Sequence, residues 1–188
     1  MISESRFWKA DLLRWAEHLE RRTKAQRWSE ASTARVERAV MFGFFALRRL
    51  IESKGRLCDS TVQRRMRLKL FPSKSRHVTL LNWHKLDRHF ALASPRTRTL
   101  GVEDLCNQFI HSYVFSLVLG PRLGLHSFLV ASDRGRKRAL YEVAVRTIVT
   151  LFRLAGRDYP NAVDASFDSS IEDFRVTARL LPAPGHAA

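Results

Sequence analysis

Apolar residues recur at helical spacing over residues 5–26: Trp8, Leu12, Trp15 and Leu19 fall at i, i+4, i+7 and i+11, and Leu13 and Ala16 widen the stripe. Glu17, Glu20, Arg21 and Arg22 take the outer face, so the pattern predicts an amphipathic helix with its tryptophans as core anchors. Ser29, a good N-cap residue, and Gly55, a good C-terminal stop, bracket a second helix. Val36, Val40, Phe44, Leu47 and Ile51 make its inner stripe. Met41, Phe42, Phe45 and Leu50 then leave it apolar nearly all round, which predicts burial in the core or by a partner. The remaining polar stripe holds Arg35, Arg38, Arg49 and Glu52. Phe42, Phe45 and Arg49 together form an aromatic-plus-arginine surface of the kind found at interface centres, although cover by later segments explains the same pattern.

Residues 59–100 have a different texture. Asp59 or Ser60 predicts the cap of a short helix holding Val62 and Met66, and the alternation from Met66 to Phe71 predicts a short strand stopped by Pro72. Val78 to Leu81 reads as a second short strand, Asn82 as the cap of a short helix containing Trp83, His84, Leu86 and Phe90, and Pro95 to Arg98 as a loop. A third helix follows from about Leu100 to Ser112. Tyr113 to Leu119, Ser127 to Ala131 and Leu140 to Val143 then predict a three-stranded antiparallel meander, with turns at Gly120 to Gly124 and Asp133 to Arg136. Val145, Ile148, Val149, Phe152 and Leu154 predict a fourth helix ending at Gly156. Residues 157–180 read as polar coil with one strand at Phe174 to Val176, and 181–188 as a disordered tail.

The expected architecture is α+β and mainly helical: a four-helix bundle core with a small β-meander inserted between the third and fourth helices, in one globular domain over residues 1–180. The two cysteines, Cys58 and Cys106, stand far apart and suit a reducing compartment. No basic segment followed by an apolar run opens the chain, and the longest apolar run, residues 39–47, is too short to cross a membrane. These features predict a soluble cytoplasmic protein without a membrane partner.

Charge changes the picture more than any of this. The net charge is +15, and residues 61–100 alone carry ten basic groups against one acidic. Arg64, Arg65, Arg67, Lys69, Lys74 and Arg76 fall in that stretch and are the candidate nucleic-acid-binding residues. Of the 33 basic residues 26 are arginine, which codon bias would also produce, so charge alone leaves both explanations standing.

Candidate chemistry is sparse. Gly-rich phosphate loops, nucleophile elbows and paired zinc ligands are missing from the sequence, and His84, Asp87 and His89 lack the spacing of a metal site; no metal or cofactor is expected. The remaining candidates are Asn107 and His111, an i, i+4 pair on the polar side of the third helix. A four-helix bundle carrying Asn-x-x-x-His on its third helix resembles the HEPN family of bacterial defence and toxin–antitoxin proteins. Many of these are metal-independent ribonucleases whose motif is Arg, four to six residues, then His, often with Asn directly after the Arg. Asn107 and His111 stand at the Asn and His positions, and Cys106 stands where the Arg belongs. The resemblance implies that His111 moves a proton at the 2′-hydroxyl or the leaving oxygen, and that an arginine from elsewhere, such as Arg38 or Arg49, steadies the phosphate. The plainer alternative is that His111 closes the C-terminal end of its helix and Asn107 bonds a loop. Three readings of function follow: a HEPN-like protein acting on or binding RNA, a homodimerising or partner-docking subunit, and a module that binds RNA or DNA electrostatically.

Overall fold

The computed structural model describes residues 2–74 and 77–182. Arg76 and all but the first two residues of the 181–188 tail lie outside them. The chain forms α1 (Ser5–Arg22), α2 (Glu30–Glu52), α3 (Asp59–Val62), β1 (Arg65–Pro72), α4 (Leu86–His89), β2 (Arg96–Gly101) and α5 (Val102–Ile110). Then come β3 (Ser112–Leu119), β4 (Leu125–Ser132), β5 (Ala139–Ala144), α6 (Val145–Arg157), β6 (Ala162–Asp168) and β7 (Asp173–Arg179).

The second long helix begins and ends at the punctuation the sequence predicts, whereas α1 has no side-chain cap and stops at Arg22, short of the expected residue 26. The Ser29 hydroxyl accepts the Ser32 amide, and the Ser32 hydroxyl accepts the Ser29 amide, a reciprocal cap that opens α2. Gly55 follows the helix at φ +80°, a conformation only glycine adopts without cost. At the other end of the core, Lys9 is buried in α1. Its Nζ donates to the Asp158 carbonyl that ends α6 and lies 4.0 Å above the Tyr159 ring. Burial pushes the Lys9 amine below the usual lysine range, with the Asp158 carboxylate opposing.

The bundle does not form. β1, β5, β4 and β3 pair antiparallel side by side with β2 outside β1, giving a five-stranded sheet in the order β2-β1-β5-β4-β3. The basic segment is therefore part of the sheet: it supplies β1 and, where a loop was expected, the edge strand β2. Val78 to Leu81 forms no strand, Thr79 to Asn82 being a turn closed on the Asn82 side chain. The physical reason for the correction is the apolar side of the strands. Met66 and Leu68 of β1, Phe128 and Val130 of β4 and Val143 of β5 join one core with Phe44 of α2, Phe109 of α5 and Phe152 of α6. The helices bury their stripes on a sheet as well as on each other. The architecture is α+β, with α1 packed between α2 and α6 and with α5 between α2 and β4.

The opposite face of the sheet is divided. Phe71, Leu140, Ala131 and Val114 lie at one end of it, covered by Val78, Trp83 and Phe90 from residues 77–90. Cross-strand register puts Arg65, Arg67 and Lys69 on this same face at the other end, with Thr97, Thr99 and Glu142 as their neighbours. That half is open. Residues 162–179, expected as coil apart from a strand at Phe174 to Val176, form a separate two-stranded hairpin whose one face carries Val163, Ala165, Phe167, Phe174, Val176 and Ala178. Ala178 is buried at the base of this hairpin, whereas Phe167 and Phe174 at its tip are exposed.

His18 of α1 is half-buried, and its Nε2 has no partner among the described residues. Burial first, then Arg21, Arg22 and Arg35, hold its imidazole below the usual histidine value. The unfolded chain therefore takes up this proton at higher pH than the folded one. The contribution is complete above about pH 6.5 and is lost on acidification below it. A His18→Leu protein should show a smaller drop in Tm than wild type between about pH 7.5 and 5.5. An equal drop in the two proteins refutes the assignment.

Candidate nucleic-acid interface

The open half of the sheet owes its shape to a divergence of strands. β1 and β5 pair from Lys69–Glu142 to Pro72–Ala139 and then part. The chain leaves β5 at Ala144 and turns directly into α6 at Val145 without a loop, while residues 65–68 of β1 stay paired to β2 only. A cavity of about 790 Å³ fills this wedge. Its walls are Arg67 and Lys69 from β1, Glu142 from β5, the first turn of α6 with Arg146 and Thr147, Arg122 from the β3–β4 turn and His126 at the start of β4. A second depression of about 280 Å³ adjoins it, lined by Arg64, Arg65, Arg67, Arg146, Thr147 and Thr150. Arg67, Arg146 and Thr147 are common to both.

Electrostatically this surface is one-sided. Among the described residues, no side-chain hydrogen bond or ion pair engages Arg64, Arg65, Arg67, Arg122 or Arg146. Glu142 is the carboxylate within the cavity wall. It is held by Lys69 Nζ at 3.2 Å and by the Ser127 hydroxyl, which donates at 2.8 Å. The first turn of α6 adds to the bias: Ala144 offers its N-cap no side-chain acceptor, and no acidic residue follows.

The β3–β4 turn is a fixed wall. Trp28 Nε1 donates to the Leu123 carbonyl at 2.7 Å, and the Gly120 amide donates to the Gly124 carbonyl at 2.8 Å. Leu123 sits at φ 61°, a left-handed conformation that costs a non-glycine residue on the order of 1 kcal/mol.

The other sequence candidates lie elsewhere. Asn107 and His111 are at the C-terminal end of α5, beside the start of β3, whereas the cavity is at the end of β3, on the order of 25 Å along the strand. His111 is exposed and occupies the C-cap position, as the plainer reading has it. Neither side chain makes a hydrogen bond, ion pair or ring contact among the described residues. Their neighbour Gln108 does the polar work on that face, its Oε1 accepting the Ser132 amide at 3.0 Å. Arg49 pairs with Glu52 at 2.7 Å, and Arg48 reaches both Glu52 and Glu103 at the start of α5, roughly 12 Å up the helix from His111. Arg38 is exposed and bonds the Ala34 carbonyl of its own helix. The bundle that carried the resemblance to the HEPN family is absent, and the two arginines named for the missing motif position, Arg38 and Arg49, bond within their own helix.

Phe42 and Phe45 are 54% and 46% exposed, each lying against a tryptophan of α1, Trp15 and Trp8 respectively. Lys74 is remote from the wedge, its amine on the Asp87 carbonyl. His89 is buried with Nε2 at 3.1 Å from the Asn82 carbonyl, and no cluster of three His, Cys, Asp or Glu occurs among the described residues. No helix among them is long and apolar enough to cross a membrane.

No family model, curated protein or solved structure matches this chain. Its function has to be read from its own surface. Sequence reasoning located Arg64, Arg65, Arg67 and Lys69 by charge density and missed Arg122, His126, Arg146 and Thr147. The available signal for the last two was a helix that opens Val145-Arg146-Thr147 with no capping residue and a cation in its first turn.

Proposed function

We propose that the protein binds a nucleic-acid strand through its phosphates along the open half of the sheet, using Arg64, Arg65, Arg67 and Arg146. The observation that carries this reading is the absence, among the described residues, of carboxylate partners for these four guanidiniums around two adjoining depressions. An unpaired guanidinium has its bidentate donors free for a phosphate. Side chains two apart on a strand are about 6.7 Å apart, so Arg65 and Arg67 repeat at a step comparable to that of phosphates along an extended strand. Among the described residues no Phe, Tyr or Trp lines either depression, so a series of stacked bases is not part of the reading and binding is expected to be indifferent to sequence. RNA and DNA strands both satisfy this chemistry.

The test is anisotropy of a labelled single strand titrated with the full chain across a salt series. Four neutralised phosphates predict a log–log slope of about −3. The double variant R65E/R67E should lose at least about tenfold in affinity and show a shallower slope, while R134E/R138E on the β4–β5 turn should bind as wild type does. Salt-independent binding, or equal affinity for R65E/R67E and wild type, sinks the reading.

A further inference from the structure

The two depressions differ in a way that a uniform backbone does not require. The smaller one runs between the arginines at the start of β1 and the Arg146, Thr147 and Thr150 side of α6. The larger one is a concave space ending at a wall, the β3–β4 turn. That wall is fastened to the α1–α2 connection by the Trp28–Leu123 hydrogen bond and to the end of α1 by Gly124, whose backbone lies against the Thr23 carbonyl. A strand lying along Arg64 and Arg65 and entering the wedge between Arg67 and Arg146 meets this wall. It has to stop there or turn away.

What waits at the wall is a denser set of cations than one phosphodiester uses. Among the described residues Arg67, Arg122 and Arg146 have no partner and Lys69 is shared with Glu142, and the His126 ring lies beside these cations in the same wall. A backbone phosphodiester carries a single negative charge. A phosphomonoester at a strand end carries about −1.5 to −2 at neutral pH and has three acceptor oxygens instead of two. The Thr147 hydroxyl stands in the same wall as a neutral donor.

We infer that the larger cavity is the seat of a terminal phosphomonoester of the bound strand, held by Arg67, Arg122 and Arg146 with His126 beside them. This rests on the reading of the sheet as a nucleic-acid surface. The same group also ends a free nucleotide, so the source is part of the test.

The full chain is titrated with three labelled oligomers of one sequence, carrying a 5′-phosphate, a 3′-phosphate or hydroxyls at both ends, and with a nucleoside monophosphate as competitor. One phosphorylated oligomer should bind about tenfold tighter than the hydroxyl form, the worth of the added charge-assisted bonds. Arg122→Ala should bring that ratio close to one, whereas Arg134→Ala on the distant β4–β5 turn keeps it. Arg122 is exposed, and an unchanged Tm establishes that the variant is folded. Equal binding of all three oligomers overturns the terminal seat and leaves the groove intact, and so does a ratio that survives Arg122→Ala. Failure of every oligomer to bind overturns the groove and the seat together. If the free monophosphate binds as tightly as the phosphorylated oligomer, the cavity serves a nucleotide, and the strand-end assignment is wrong.

Discussion

Truncating Phe44 to alanine is expected to cost about 3–5 kcal/mol of folding stability. Phe44 is fully buried at the point where three helices meet. Its ring stacks on Phe109 of α5 at 4.1 Å between centroids and meets the Phe152 ring of α6 edge-on at 5.2 Å. The neighbouring Gly43 cannot be substituted to fill the space from the side, because a Cβ there would stand 2.2 Å from a Phe152 ring carbon. The hole left by Phe44→Ala is thus walled by aromatic rings already engaged with one another, which collapse poorly into it. Against a total stability of roughly 5–15 kcal/mol, such a loss unfolds a large share of the molecules or moves the urea midpoint far down. Phe42, two residues earlier and mostly exposed, is the control. Phe42→Ala should shift stability by no more than about 0.5 kcal/mol. Similar midpoints for the two variants would show that α2 is not the centre of the core.

The second large effect belongs to Gly124. A methyl group there would lie 2.0 Å from the Thr23 carbonyl oxygen and 2.9 Å from its carbon, both backbone atoms at the end of α1. No rotamer relieves this contact. Either the β3–β4 turn lifts away or the last turn of α1 unwinds, at a cost of about 3 kcal/mol. Gly124→Ala should also break the Trp28–Leu123 hydrogen bond and expose the indole, so its fluorescence should shift to the red. Gly120→Ala, at the other end of the same turn, meets nothing closer than 3.6 Å and should be tolerated. A Gly124→Ala protein with wild-type Tm and fluorescence would mean that the turn is not held against α1. The cavity wall would then be a loose loop.

These two positions also show what sequence patterns disclose. The stripes of α1 and α2 were legible because each helix buries a long continuous face, and the Ser29 cap and Gly55 stop were legible because local backbone chemistry dictates them. A stripe records that a face is buried and says nothing about what covers it. The apolar positions of Met66, Leu68, Phe128 and Val143 could have closed a meander beside a bundle as readily as they floor the helices. β2 was invisible for a related reason: Arg96 to Thr99 are exposed on both faces, so no alternation marks this edge strand. In residues 162–179 the alternation of Val163, Ala165 and Phe167 was present, but the intervening aspartates and serines resembled a loop. At the candidate site, charge density disclosed the β1 arginines. Arg122 and Arg146 arrive from more than fifty residues away, and only the parting of β1 from β5 brings them to the same cavity.

The unpaired arginines have a further cost, borne by the empty protein. Arg64, Arg65, Arg67 and Arg146 share two adjoining depressions without a neutralising partner among the described residues, so the folded state gathers like charges that the unfolded chain keeps apart. The core has to offset this repulsion. An anion in the groove removes it, so occupancy and folding draw on the same free energy and each strengthens the other. A carboxylate introduced among these arginines is expected to raise the Tm and, on the proposed reading, to weaken strand binding in the same variant.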